Sequence, residues 1–101
     1  MTSPPTPPAA PEPLADLRHQ INELDEQILQ LLARRYAILP EVVRVKAAHG
    51  ISHRVQSRVA EVLARNTSRG TELGLPEQMV REIWEAIIEA AHRYEGQFLD
   101  H

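Results

Sequence analysis

Residues 14–50 read LADLRHQINELDEQILQLLARRYAILPEVVRVKAAHG, and the spacing of their apolar side chains decides the fold. Leu14, Leu17, Ile21, Leu24, Ile28, Leu31, Ile38, Val42 and Val45 follow at alternating steps of three and four once position 35 is counted among them. That is a heptad seam, the mark of a long helix packed against other helices. Pro40 falls inside it; having no N–H and crowding the carbonyl four residues earlier, it predicts a kink near Leu39. Gly50 supplies a stop.

Further along, Val55, Val59, Val62 and Leu63 suggest a shorter helix that closes before Gly70 and Gly74. Pro76 stands at a helix start and is followed by Val80, Ile83, Trp84, Ile87, Ala91, Tyr94 and Phe98 at the same helical spacing. The expected class is all-α: one domain over residues 14–101, built as a long, a short and a long helix. Met1 to Pro13 holds six of the eight prolines and can bury nothing, so it is expected to be a mobile tail outside the fold.

Composition agrees with helices and narrows the function. The 101 residues are 43% hydrophobic but only 4% aromatic, which suits packing through Leu, Ile, Val and Ala. A chain this short has little core of its own, so association with a second copy is expected. The net charge of −3 offers no general footprint for nucleic acid or an anionic membrane, and any anion site must be local. There is no Cys for a thiolate nucleophile or thiolate metal site, and no apolar run reaches membrane-spanning length. A cytoplasmic protein is the default expectation.

Position 35 is the informative break in the seam, because it is Arg35. A guanidinium cannot shed its proton and is costly to bury alone. It either snorkels to the rim and pairs with a carboxylate such as Glu41, or helps to form an anion pocket. Lys46 supports the pocket: it lies eleven residues on, about 16 Å along a helix, so both can lean toward one ligand. Arg18 stands seventeen residues before Arg35, about 25 Å away, too far to share a small ligand within one chain. If Arg18 joins the site it comes from an antiparallel partner helix. Among the five histidines no helical metal-ligand pair is evident; His92 reads as an exposed helix residue, and His49 and His53 fall in an expected turn. Neither a catalytic Ser–His–carboxylate set nor a phosphate-binding glycine loop is legible, and no metal or other cofactor is expected.

The order Arg18, Leu24-Asp25, Leu31-Leu32, Arg35, Lys46 resembles the first helix of AroQ-type chorismate mutases, and the likeness extends through the second helix to IWEAIIEAAHRYEGQ at residues 83–97. The resemblance implies an intertwined homodimer of three-helix chains acting on a dicarboxylate, chorismate or a close relative. It further implies that Arg35, Lys46 and Arg58 face the carboxylates and ether oxygen, with Arg18 from the other chain and Glu95 near the ether oxygen. Val55, Val59 and Ala91 complete the implied lining. Such a site holds the substrate in its reactive shape and stabilises charge developing on the ether oxygen. To assist, Glu95 has to donate a hydrogen bond, which requires its acid form.

Two departures bear on the substrate. Val59 stands where most chorismate mutases have a Glu that takes the ring hydroxyl, and Val55 replaces an Asp. The Arg-Val pair at 58–59 is similar to isochorismate pyruvate lyases and 4-amino-4-deoxychorismate mutases, which are the alternative activities. A helical dimerisation or regulatory module is the non-enzymatic alternative; against it, a packing module has no use for cations such as Arg35 on its seam.

Overall fold

The computed structural model describes residues 12–99, so nearly all of the expected tail and the terminal His101 lie outside the described residues. Four helical segments follow one another: α1, Glu12–Ala37; α2, Leu39–His49; α3, Gln56–Glu72; and α4, Glu77–Gly96. The long, short, long plan therefore holds with its first member divided. α1 starts two residues before the expected boundary, with Pro13 tolerated in its opening turn, where an N–H has no helical acceptor. The chain falls into two units, one ending at Arg35 and the other beginning at Tyr36.

Pro40 causes the division. It has no N–H to give the Tyr36 carbonyl, so the helical ladder lapses at Ile38 and restarts with Glu41 and Val42 donating to the Ile38 carbonyl at 3.1 and 3.2 Å. The interruption also changes which face is buried. Ile38, on the expected seam, is 59% exposed, while Leu39 beside it is 7% exposed. From there Val42, Val43 and Lys46 are the half-covered positions of α2, with Val43 and Lys46 each one residue past the seam positions Val42 and Val45, and this is the face of the helix that packs on α4. Gly50 ends α2 as expected, in the left-handed region at φ 66°, where its N–H donates to the Lys46 carbonyl.

Within the first unit, α1 is a solvent-exposed helix from end to end; Leu17, Ile21, Leu24, Ile28 and Leu31 are each more than half exposed. The seam is present but uncovered in the single chain.

α3 and α4 form the main helix pair of the second unit. The inner face of α3 carries Val59, Val62, Leu63, Thr67 and Gly70 at helical spacing. Buried Thr67 satisfies its hydroxyl within its own helix by donating to the Leu63 carbonyl at 2.8 Å. Opposite lie Val80, Ile88 and Ala91 of α4, all buried. Contrary to the expected stop before it, Gly70 is inside α3; the helix runs on to Glu72, and Gly74, at φ 86°, is the residue that turns the chain. Gly70 is small because Val80 presses on it. A Cβ there would sit 2.6 Å from Val80 Cγ2, and the β-branched side chain has little freedom to move away.

Gly70→Ala is therefore expected to lower stability by about 1–2 kcal/mol, the overpacking cost exceeding the gain in helix propensity. Urea unfolding of this variant, of Val80→Ala and of the double variant checks it: the double should be more stable than the sum of the two losses implies.

Candidate functional site

The second unit brings together the end of α2, the 50–55 loop and the inner face of α4. Two of the sequence-predicted residues meet there. Lys46 Nζ donates to Glu95 Oε1 at 2.8 Å, across forty-nine residues of chain, and to the His53 carbonyl at 2.9 Å. Glu95 is 4% exposed, and Lys46 reaches it from the last turn of α2, where the helix dipole favours a cation. An ammonium has three N–H groups, so one remains for a further acceptor.

Ala91 is buried on α4 one turn before Glu95. Val55 is the extended residue that opens α3, at φ −103° and ψ 105°, and both it and Val59 are half-covered. Neither valine can accept a hydrogen bond through its side chain. Arg58, one turn into α3, is exposed and pairs with Glu61 of its own helix. Arg18 and Arg35 belong to the first unit and stand exposed on α1.

Four residues that sequence reasoning passed over also gather here. His92 corrects an expectation: it was read as exposed, yet it is 8% exposed, and its Nδ1 is a buried nitrogen with no hydrogen-bond partner among the described residues. The buried face of α4 is turned from the one the apolar pattern marks, with Ile83 and Phe98 exposed and His92 and Glu95 inside. Burial, reinforced by the Arg54 guanidinium, holds the His92 imidazole below its usual range; Glu95 pulls the other way, Lys46 adds to the lowering and Glu89 opposes it. The His53 ring meets it edge to face at 6.2 Å between centroids. Arg54 Nη2 donates to both Glu89 oxygens, at 3.0 and 3.2 Å, and that bond holds the Glu89 carboxyl below the usual carboxylate range. One signal for this group was available: Glu89, His92 and Glu95 recur every third residue, which places them along one side of a helix.

Chemically, the arrangement is a half-covered cation with a spare donor beside a buried carboxyl group, next to apolar walls. It suits stabilisation of negative charge on a ligand oxygen. Among the described residues no helix is long and apolar enough to cross a membrane.

The profile of the family described as chorismate mutase type II matches residues 17–96. A T-protein from Enterobacter agglomerans is 30% identical over 83 residues, covering 82% of this chain and 22% of that protein. A T-protein from Haemophilus influenzae is 26% identical over 87 residues, 86% of this chain and 23% of that protein. A chorismate mutase from Methanocaldococcus jannaschii is 28% identical over 89 residues, 88% of this chain and 90% of that protein. The chain thus spans less than a quarter of the length of the two T-proteins and most of the archaeal protein. No solved structure matches it significantly. With the profile spanning α1 through α4, the chain belongs to the chorismate mutase type II family.

Proposed function

We propose that this chain rearranges chorismate to prephenate, working as a homodimer in which each site combines residues of two copies. The observation that carries the proposal is the Lys46 ammonium, fixed by Glu95 and the His53 carbonyl with one N–H to spare. The reaction needs little more from the protein than placement and charge. The ether C–O bond breaks as a C–C bond forms within one molecule, so no proton, electron or co-reactant enters or leaves. Negative charge builds on the ether oxygen in the transition state, and the spare Lys46 N–H stabilises it. Glu95, ion-paired with Lys46 in the free chain, on this reading gives that oxygen a second hydrogen bond in the acid form that the two negative charges of the bound substrate favour. Arg35 and Arg58 hold the carboxylates by charge-assisted, two-pronged contacts, once Arg58 is drawn from Glu61.

The second copy enters through α1. A helix that leaves Leu17, Ile21, Leu24, Ile28 and Leu31 in water is a large apolar stripe without cover. An antiparallel partner helix buries it and carries the partner's Arg18 toward Arg35. Sedimentation at micromolar concentration should give two chains per particle, and a fully active monomer would overturn the shared site.

Lys46→Ala and Arg35→Ala are each expected to lower the chorismate turnover number by about 100-fold or more while keeping helical circular dichroism, since each removes a preorganised charge contact. Glu95→Gln keeps a donor of similar length and should retain activity. A Lys46→Ala protein with wild-type turnover, or a wild type that leaves chorismate unchanged, refutes the assignment.

Half-buried, apolar Val59 favours a second reading, in which the preferred substrate is isochorismate or 4-amino-4-deoxychorismate. Incubation with each of the three substrates and identification of the products decides between them. If chorismate is the substrate, its ring hydroxyl lacks a side-chain acceptor at Val59, and Val59→Glu should lower the KM for chorismate.

A further inference from the structure

Three rungs join α4 to the segment that carries Lys46. At one end Lys46 donates to Glu95, at the other Arg54 donates to Glu89, and between them the rings of His53 and His92 meet edge to face. Glu89, His92 and Glu95 rise along one side of α4 at intervals of three residues, while Lys46, His53 and Arg54 face them from the end of α2 and the 50–55 loop. The end rungs are ion pairs. In the middle one His92 is buried, and its Nδ1 has no hydrogen-bond partner among the described residues.

We propose that His92 is a positioning residue for the Lys46–Glu95 pair: it is the middle rung of a clasp by which α4 holds the 50–55 loop, and the clasp is closed only while its ring is uncharged. The inference rests on the reading of Lys46 and Glu95 as the groups that meet the substrate.

A proton on His92 disturbs both ends at once. The charged ring lies three residues from each clasp carboxylate on its own helix, and it competes with Lys46 for Glu95 and with Arg54 for Glu89. It also brings a third cation against Lys46 and Arg54, least screened by water at the covered Lys46 end. The charged side chains of α3, namely Arg58, Glu61, Arg65, Arg69 and Glu72, are all exposed and offer the ring no compensation. The loop is the movable side of the clasp: it is short, and within it Ser52 Oγ accepts from the Arg54 amide at 3.2 Å and donates to the Arg54 carbonyl at 3.3 Å. Loss of the middle rung therefore removes one of the contacts that hold His53, and the His53 carbonyl fixes the Lys46 ammonium less firmly.

The direction of the pH effect follows from the lowered affinity of the folded ring for its proton. The unfolded chain binds that proton near an ordinary histidine value of 6.5, more readily than the folded chain does. Stability from this group is complete well above that value and declines as pH falls below it, until the folded ring is charged as well.

The test follows the His92 and His53 rings by NMR, together with protection factors of the Arg54 and Arg58 amides, from about pH 8 to about pH 5, a window that brackets the histidine range. Turnover of chorismate is measured over the same range for the wild type, His92→Gln and His53→Gln. Arg54 protection in the wild type should fall along the His92 titration, by up to about tenfold per pH unit, the limit for coupling to one proton. The wild-type to His92→Gln ratio of kcat should fall with the same midpoint, while KM moves little. Equal protection at both ends of the range overturns the proposal. So does an acid loss that survives in His92→Gln and vanishes in His53→Gln. If His92→Gln fails to fold, the wild-type titration of ring and amide decides alone. A wild type inactive on chorismate at every pH defeats the functional reading, while the exchange data still decide the clasp.

Discussion

A carboxyl group in the middle of a helix interface needs a partner, because desolvation without one costs more than the surrounding apolar contacts return. Glu95 has Lys46, and much of the second unit is arranged to keep the two together. The inner face of α2 is the one that starts from Leu39 and ends on Lys46, not the one that the heptad seam marks. Gly50 then reverses the chain in a conformation open to glycine, so that the His53 carbonyl returns to the same ammonium. Arg54 is carried along by one peptide and finds Glu89. The pairing of one buried acid thus agrees with the phase of one helix, the path of one loop and the position of a second cation.

Much of this was legible in the sequence, because the relevant physics is local. The alternating steps of three and four announce helices; Gly50 and Pro76 mark an end and a start through backbone conformation alone. Arg35 and Lys46 stood out for their spacing along the first predicted helix. What escaped depends on tertiary contacts. Whether a mid-helix glycine stops a helix or lets another helix approach is decided by Val80, which the sequence near Gly70 does not contain. The one-residue change of phase after Pro40 comes from the packing of α2 on α4. His92 was misread because an amphipathic pattern assigns polar residues to solvent, and the rule fails where polar residues are gathered for a purpose.

The two faces of the first predicted helix have separate fates. Beyond Ile38, Leu39 is buried and Val42 and Val43 are half-covered within the chain, whereas before Arg35 the apolar residues are exposed. On the proposed function, Arg35 stands where the helix passes from duties shared with a second copy to duties inside its own chain. One stretch of sequence then serves both assembly and chemistry, and a seam drawn through both halves reads as continuous although the helix changes its buried face on the way.

The clasp also has a place in time. α3 and α4 are joined by a four-residue turn and meet at Gly70 and Val80, ten residues apart, so their pairing closes only a short loop of chain. Lys46 and Glu95 are forty-nine residues apart and can meet only after a far longer closure, whose entropic cost is offset by few contacts beyond the rungs themselves. Local contacts form first and distant ones last, so the helical hairpin is the early structure and the Lys46 pairing a late one. On the proposed function, the part of the molecule that meets the anion is then also the first to come apart when the chain begins to open, and partial unfolding would silence the site while most of the helix content persists.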